Sequence, residues 1–242
     1  MSIVRHQNSA YLQHIAVTQR IHFSHQNQHY LKRLFDIAAS SLGILILSPL
    51  ILLLAIWIKA DSSGPVFFQQ KRIGKNRQPF YVLKFRTMTH RDPDAIDQHA
   101  EQVVSAGADQ RITRAGRFLR MTSLDELPQL VNILKGDMSL VGPRPVIPEQ
   151  LEVVPHWFND RFRVRPGITG LAQVKGRRSL SWEQQLEYDN AYAKKNSFSR
   201  DMGIILQTFL VIITARGIYG DESKNWRAYR EKWAKYSIKE KS

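Results

Sequence analysis

Two adjacent carboxylates, Asp125 and Glu126, stand in the stretch TSLDELPQLVNILKGDMSLVGPRP, which runs from Thr122 to Pro145. An apolar segment and a Gly-Asp turn follow the acids, and Arg144 lies near the end between two prolines. Prolines fix the backbone on both sides of that guanidinium, which suits recognition of a phosphate or a carboxylate. Neighbouring acids repel each other unless a cation offsets them, and a divalent ion with oxygen ligands meets that need. The pattern predicts chemistry on a phosphate.

The acid pair can stand in two registers relative to a helix. Ser123 and Glu126 have the spacing of a capping box, in which the Glu126 side chain bonds back to the Ser123 backbone. In the other register, Pro128 takes the first helical position and Gly136 stops the helix. Either register leaves Asp125 at or just outside a helix N-terminus, where exposed N–H groups favour anions. The second register also predicts three buried residues, Leu130, Val131 and Leu134.

The composition favours an anionic partner. The chain has 242 residues, with 35 Lys and Arg against 21 Asp and Glu, a net charge of +14. Such a charge fits nucleic acid, anionic lipid or phosphorylated substrates, and the absence of cysteine excludes disulfides and thiolate chemistry. A membrane-anchored nucleic-acid-binding module and a non-catalytic scaffold therefore stay open as alternatives. No nucleic-acid-binding motif supports the first, and the second would reduce the acid pair to helix capping.

Basic residues recur in three further places. The runs VFFQQKRIG and FYVLKFRTM flank a polar turn, which predicts a β-hairpin whose end presents Lys84 and Arg86. These two side chains are either solvated or, with Lys71 and Arg72, part of an anion site. The segment RITRAGRFLRMTS carries arginines at helical spacing and ends with Arg120 just before the acids. The glycine-rich segment FRVRPGITGLAQVKGRR adds several more basic residues, among them Arg165 and Arg177.

An uncharged run from Ile37 to Ile58 is long enough to cross a bilayer, for which about 20 apolar residues suffice. Proline removes a backbone hydrogen bond, so Ser48-Pro49 predicts a break in this helix, with the Ser48 hydroxyl bonding a freed carbonyl. Basic residues flank both ends, and such residues favour the cytoplasmic side. We therefore favour a re-entrant helix over one spanning helix. By contrast, the apolar run from Met202 to Ala215 is too short to span.

The chain as a whole predicts an α+β, helix-rich fold in four segments. A polar, His/Gln-rich and poorly ordered tail covers 1–30, and a re-entrant membrane helix hairpin, broken at Ser48-Pro49, covers 31–60. A cytoplasmic catalytic domain with a small β-hairpin and interfacial helices covers 61–220. A basic, aromatic tail at 221–242 is of a kind that settles at membrane surfaces.

Several long motifs, in order, resemble the bacterial sugar transferases known as monotopic phosphoglycosyl transferases. They are FDIAASSLGILILSPL, GPVFFQQKRIG, FYVLKFRTM, TSLDELPQLVNILKGDMSLVGPRP and VRPGITGLAQVKGR, and the likeness covers about 31–220. The resemblance implies transfer of a sugar-1-phosphate from a UDP-sugar to polyprenol (undecaprenyl) phosphate, with release of UMP. It places the enzyme at the cytoplasmic face of the bacterial inner membrane, at the start of surface glycan synthesis. Relative to larger members, the chain is expected to be a minimal form with an added tail.

The resemblance also implies roles for single residues. Asp125 is the nucleophile that forms an acyl-phosphate bond to the sugar phosphate, and Glu126 holds Mg²⁺. Ser48-Pro49 matches the break of the family's re-entrant helix. The implied partners are a UDP-sugar, undecaprenyl phosphate and inner-membrane lipid, with a homodimer compatible and no nucleic acid expected. The basic positions that match the family's motifs are Arg120, Arg144 and Arg177, at the phosphates and nucleotide, and Lys84, Arg86 and Arg165, whose roles are less specific.

Overall fold

The computed structural model describes residues 3–91, 95–101, 109–214 and 222–239, and only the backbone of 3–28, 222 and 234–239. Its helices and strands in chain order are α1 Ile3–Asp61, β1 Phe67–Ile73, β2 Pro79–Phe85, α2 Arg114–Thr122, α3 Gln129–Lys135, β3 Ser139–Val141, α4 Pro148–Leu151, β4 Gly167–Thr169, α5 Leu171–Lys175, α6 Trp182–Lys194, α7 Phe198–Ile213 and α8 Trp226–Lys239. Short 3₁₀ turns connect several of them. The predicted helix-rich α+β class is confirmed.

Helix α1 runs without interruption from Ile3 to Asp61, with Pro49 inside it, so the predicted break at Ser48-Pro49 is not seen and the helix continues through the proline. The segment 3–28 is therefore helical, where the sequence predicted a poorly ordered tail. No proline or glycine precedes Gly43, so nothing in the sequence stops the helix from extending towards the N-terminus. The predicted bond from Ser48 is present, because its hydroxyl donates to the Leu45 carbonyl at 2.9 Å. That carbonyl is the one for which proline at position 49 has no N–H.

The stretch of α1 from His29 to Asp61 is long and apolar enough to cross a membrane, and only 11 % of its most apolar window is buried. One side of the helix nevertheless packs on the rest of the protein. Leu54 and Ile58 share a buried cluster with Phe85, Ala115 and Leu119 of β2 and α2. Most of the apolar surface of this part of α1 is thus not covered by the rest of the described protein.

Polar contacts tie the two ends of this stretch to the same folded unit. At the N-terminal end, Lys32 donates to Asp201 at 2.5 Å and to the Val141 carbonyl at 3.0 Å. One turn later, the Asp36 carboxylate accepts the Leu140 N–H at 3.0 Å. At the other end, the Asp61 carboxylate accepts the Ala115 N–H at the start of α2.

The predicted β-hairpin is confirmed. Strands β1 and β2 pair antiparallel, with Phe67 opposite Phe85 and Ile73 opposite Pro79. Val82 and Phe85 are both buried, but on opposite faces of β2, because side chains alternate along a strand. Val82 packs in a cluster with Leu130, and Phe85 packs in another with Leu54. A second pair, β3 with β4, is parallel and joins Ser139 to Gly167 and Val141 to Thr169. The sequence did not predict this short pair.

The second of the two helix registers is the one the structure adopts. Pro128 caps α3 and Gly136, with a φ of 95°, ends it. Leu130 and Ile133 are buried in one cluster with Val82 and Met138. The prediction that Val131 and Leu134 are buried is wrong: both are exposed large hydrophobic residues, because the buried face of this helix runs through Leu130 and Ile133.

Candidate active site

Asp125 and Glu126 lie in a 3₁₀ turn, Leu124–Glu126, between α2 and α3. The turn follows directly from Ser123, which ends α2 in the left-handed conformation with a φ of 59°. The predicted capping box is wrong, because the Ser123 side chain makes no cap hydrogen bond. The Glu126 carboxylate instead turns towards two cations across the site.

Glu126 is held on one oxygen by two cations. Lys84 Nζ donates to Glu126 Oε1 at 2.7 Å and Arg144 Nη2 donates to the same atom at 2.9 Å. Burial alone would raise the pKa of the Glu126 carboxyl, but Lys84 and Arg144 hold that pKa well below its usual range. Glu126 is therefore ionised at physiological pH. In the described part of the chain, no hydrogen bond reaches its other oxygen, Oε2.

Asp125 stands in a different environment from its neighbour. Its side chain keeps 16 % of its surface exposed, and its nearest cation, Lys84 Nζ, is 3.9 Å from Oδ2. Burial and the adjacent Glu126 charge raise the pKa of the Asp125 carboxyl, whereas Lys84 lowers it. Among the described residues, no hydrogen bond engages this carboxylate. Its carboxyl oxygens are thus partly exposed and lie beside a cluster of cations.

The acid pair lines a cavity of about 750 Å³. Basic residues from five parts of the chain line the same cavity and outnumber the two acids. Burial and the Arg144 charge lower the pKa of Arg72 to about 9, so the guanidinium stays cationic at neutral pH. A positive cavity of this size fits an anionic substrate larger than a single phosphate. Its basic residues beside the acids are Arg72, Lys84, Arg120, Arg144, Arg177 and Arg178.

Arg120 reaches the cavity from α2 because that helix packs unusually close to the end of the hairpin. Its Nε donates to Thr87 Oγ1 at 2.9 Å. A Cβ at Gly116 would lie 1.9 Å from the Thr87 carbonyl oxygen, so only glycine permits this approach. Arg177 lies at the turn that carries the acids, where its Nη2 donates to Ser123 Oγ at 3.3 Å.

The backbone around Arg144 is held by hydrogen bonds. Each carbonyl oxygen from Pro143 to Val146 accepts one. The Pro143 carbonyl accepts from Gly167 N at 2.9 Å, and the Val146 carbonyl from Ile73 N at 2.8 Å. Between them, the Pro145 carbonyl accepts from Arg72 Nη1 at 3.1 Å. The remaining carbonyl, that of Arg144 itself, accepts from Arg161 Nη2 at 2.7 Å.

Arg161 and Asp189 form a buried pair that sequence reasoning missed. Arg161 Nη2 donates to Asp189 Oδ2 at 2.8 Å, and each side chain is 3 % exposed. Burial raises the pKa of Asp189 to about 6, although Arg161 opposes that rise. A signal existed in the sequence, since Asp189 falls three residues after Leu186 on the buried side of α6, where an acid is unusual.

Two of the predicted basic residues, Arg86 and Arg165, bind backbone carbonyls elsewhere and do not contact the acid pair. Arg86 Nη2 donates to the Ile58 and Ser62 carbonyls at 3.3 and 2.7 Å, which joins the end of α1 to β2. Arg165 Nε donates to the Gly136 carbonyl at 2.8 Å, at the C-terminus of α3. Of the six predicted basic positions, the structure thus places Lys84, Arg120, Arg144 and Arg177 around the acids.

The site fits Mg²⁺ only together with an anionic substrate. Within the described part of the chain, no three His, Cys, Asp or Glu side chains gather around one point. Two carboxylates that face several cations carry too little negative charge to bind Mg²⁺ with protein ligands alone. Mg²⁺ commonly takes one or two carboxylates and completes its shell with substrate phosphates and waters. The free Oε2 of Glu126 meets the protein's share of that requirement.

Comparison with known proteins places the chain in a family. The model of a family described as "Bacterial sugar transferase" matches residues 27–215. The chain belongs to the bacterial sugar transferases. The recognised resemblance is thereby confirmed, and the protein is an enzyme of the phosphoglycosyl transferase class.

Individual relatives match this bacterial sugar transferase over most of its length. It is 39 % identical over 199 residues to the exopolysaccharide production protein ExoY of Rhizobium meliloti, covering 78 % of the chain and 88 % of ExoY. It is 40 % identical over 188 residues to the uncharacterized sugar transferase EpsL of Bacillus subtilis, covering 78 % and 90 %. A UDP-glucose:undecaprenyl-phosphate glucose-1-phosphate transferase of Caulobacter vibrioides is 40 % identical over 197 residues, covering 78 % and 72 %.

Proposed function

We propose that this bacterial sugar transferase moves a sugar-1-phosphate from a UDP-sugar to undecaprenyl phosphate through a covalent Asp125-phosphosugar. The observation that carries the proposal is the difference between the adjacent carboxylates. Lys84 and Arg144 both donate hydrogen bonds to Glu126, whereas Asp125 faces the cavity without a hydrogen-bond partner among the described residues. Pairs of carboxylates in contrasting environments commonly divide roles in catalysis. The Caulobacter relative is named for the same type of reaction.

In the first half-reaction, an oxygen of Asp125 attacks the phosphorus that bears the sugar. A bond forms between that oxygen and phosphorus, and the bond from phosphorus to the bridging oxygen breaks, so that UMP leaves with the bridging oxygen. In the second, a phosphate oxygen of undecaprenyl phosphate attacks the same phosphorus and releases the Asp125 carboxylate. Covalent catalysis thus divides one transfer into two steps.

The cations of the cavity supply what phosphoryl transfer requires, which is orientation and stabilisation of spreading charge. Arg144 and Lys84 both bind Glu126, next to the proposed nucleophile, and Arg120 and Arg177 line the same cavity. We propose that Mg²⁺ is the cofactor and that Glu126 holds it. When bound, it would neutralise charge on the diphosphate.

Covalent capture tests the chemistry. The purified enzyme is incubated with a panel of UDP-sugars without lipid acceptor, and we expect UMP release together with a sugar-phosphate mass increase on the peptide that contains Asp125. Asp125→Asn should abolish both signals. Asp137→Asn is the matched control, because it makes the same change in the Gly-Asp turn after α3 and should retain activity. Full turnover by Asp125→Asn would exclude the covalent route.

We also propose that α1, although one continuous helix, bends at Pro49 and is re-entrant, at the cytoplasmic face of the bacterial inner membrane. From Lys32 to Ile58 a straight helix would extend about 39 Å, more than the roughly 30 Å hydrocarbon core. Yet Lys32 and Asp36 near one end, and Ile58 and Asp61 at the other, contact the same folded unit. Ends on opposite sides of a bilayer would require that unit to pass through lipid. Within the apolar run from Ile37 to Ile58, the most exposed residues are Leu45 at 72 % and Leu53 at 65 %, on either side of Ser48-Pro49.

Site-directed labelling tests this topology, and the absence of native cysteine makes the experiment clean. Cysteines replace Tyr30 and Ser63, two exposed residues just outside the apolar run. A membrane-impermeant thiol reagent should label both in inverted membrane vesicles and neither in intact spheroplasts. Labelling of the two positions from opposite sides would establish a spanning helix instead.

A further inference from the structure

The Arg144 guanidinium has little to hold it apart from its backbone. Its side chain is 42 % exposed and, among the residues that the structure describes, makes one ion pair, with Glu126. The flanking prolines fix φ at their own positions and restrict Arg144 to extended conformations, and a hydrogen bond to the Arg144 carbonyl limits the movement of the backbone that remains. This contact therefore helps to fix the point from which the Arg144 side chain extends.

That hydrogen bond comes from a side chain, Arg161, which is itself held by Asp189. The same nitrogen, Arg161 Nη2, donates to the Arg144 carbonyl at 2.7 Å and to Asp189 at 2.8 Å. Arg161 belongs to a 3₁₀ segment, His156–Arg163, and Asp189 to α6, and these two elements pack closely on each other. A buried guanidinium without a counterion is strongly disfavoured, so Asp189 keeps Arg161 in place.

The location of the pair argues against a purely structural role. Arg161 and Asp189 line the same cavity as the acid pair, on the far side of Arg144. An ion pair that only stabilised the packing of α6 would not need to donate to the central carbonyl of the Pro-Arg-Pro segment. The same contact transmits a displacement of α6 to a residue that touches Glu126.

We propose that Arg161 and Asp189 are positioning residues that hold Arg144 over Glu126 and the substrate phosphate. The proposal rests on the proposed function, since Arg144 matters only if the cavity binds a phosphate. Neither residue is assigned a contact with substrate. Their effect on turnover passes through Arg144 alone.

A double-mutant cycle tests this coupling. Asp189→Asn keeps the size of the side chain but removes its charge, and we expect kcat/KM for UMP release to fall about tenfold, because small misplacements of a positioning group are costly. In an Arg144→Ala background, the same substitution should change kcat/KM less than about twofold, since the residue through which it acts is gone. If Arg144→Ala turns over too slowly, the cycle is measured on the affinity for UDP by calorimetry.

The control is Asp160→Asn, one residue from Arg161, which removes exposed ion pairs with Arg163 and Lys194. This substitution should leave kcat/KM for UMP release unchanged in both the wild-type and the Arg144→Ala background. A full tenfold loss from Asp189→Asn in the Arg144→Ala background would overturn the proposal and show that the pair acts through the fold. Where Asp189→Asn does not fold, Arg161→Lys replaces it in the cycle. Failure of the proposed function is distinguishable, because the wild-type enzyme would then release no UMP.

Discussion

Lys84 Nζ lies 2.7 Å from Glu126 and 3.9 Å from Asp125, so one ammonium group serves both members of the acid pair. Lys84 comes from β2, and the turn that carries the acids follows α2. The hairpin thus delivers a positive charge that lowers the pKa of both neighbouring carboxyls. The contact joins distant parts of the chain at the point where bonds are proposed to form.

Removal of this ammonium should impair turnover much more than removal of another lysine of the hairpin. Lys84→Met leaves Glu126 with Arg144 alone and removes a positive charge beside the reacting phosphate. We expect kcat to fall by about 10²-fold, the scale for loss of one preorganised electrostatic contact. Lys71→Met, which changes an exposed residue of β1, should stay near the wild-type rate in the same UMP-release assay. A Lys84→Met enzyme with more than half the wild-type kcat would contradict this assignment.

Binding of Mg²⁺ should depend on the nucleotide sugar. The cavity contains more cations than carboxylates, so a divalent ion is repelled until a diphosphate brings negative charge. Calorimetric titration of the chelator-treated enzyme with Mg²⁺ should show little heat alone and clear binding when a UDP-sugar is present. Turnover should stop with chelator and return with Mg²⁺. Tight binding of Mg²⁺ to the free enzyme would show that further protein ligands exist.

Asp189 should make the protein less stable as the pH rises, which is the opposite of the usual effect of a folded-state carboxylate. Its pKa is raised to about 6 in the folded protein, mainly by burial and against the charges of Arg161 and Arg144. The unfolded chain binds this proton only below about pH 4. The folded state therefore holds more protons between these values, and the contribution of Asp189 to stability falls as the pH rises through 6.

Comparison with Asp189→Asn isolates this contribution. From pH 5 to pH 7, the wild-type protein should lose about 1 kcal/mol of stability relative to the variant. Thermal unfolding in detergent at several pH values measures the difference. If the difference in stability between the two proteins does not change with pH, the folded-state pKa of Asp189 is not raised.

Gly116 should tolerate no side chain. A Cβ there would lie 1.9 Å from the Thr87 carbonyl oxygen, so Gly116→Ala must push α2 and Arg120 away from the cavity. We expect a loss of about 2–3 kcal/mol in the free energy of unfolding, together with lower turnover. Gly203→Ala is the matched control, since a Cβ at that position of α7 meets nothing within 4 Å. Alanine is the better helix former, so this control should be neutral or slightly stabilising.

The ion pair between Lys32 and Asp201 should be essential for stability. Asp201 is buried and also accepts a hydrogen bond from Tyr192 at 2.7 Å. Lys32→Met leaves this carboxylate without its cation, which should cost about 3 kcal/mol. Lys59→Met, near the other end of the apolar stretch, removes only an exposed hydrogen bond to the Gly64 carbonyl and should change the melting temperature little. Equal effects of the two substitutions would argue for a general charge effect.

Local patterns predicted the hairpin and the ends of α3 well. Alternating side chains and a polar turn determine β1 and β2, and Gly136 stops its helix by a conformation that other residues avoid. The acid pair was also recognisable, because two neighbouring carboxylates in a basic chain need a chemical reason. The capping box failed since Lys84, 42 positions away, competes for the Glu126 carboxylate.

Long-range contacts account for most of what the sequence could not predict. Arg86 follows Lys84 at strand spacing, which suggested a shared role. Strand β2 ends at Phe85, however, so the alternation no longer applies, and Arg86 turns to the end of α1. The parallel pair of β3 and β4 consists of two three-residue strands, too short for any periodicity. Arg161 and Asp189 meet only because α6 packs on the 3₁₀ segment.

The packing of α1 into the folded unit has a practical consequence. Leu54 and Ile58 fill a cluster with β2 and α2, and Asp36 and Asp61 bind backbone N–H groups of β3 and α2. The helix is thus both the proposed membrane anchor and part of the hydrophobic core. A truncated protein that begins after it would expose that cluster and leave those N–H groups unpaired. Efforts to obtain a water-soluble fragment for crystallisation or screening should therefore keep the helix and work in detergent or nanodiscs.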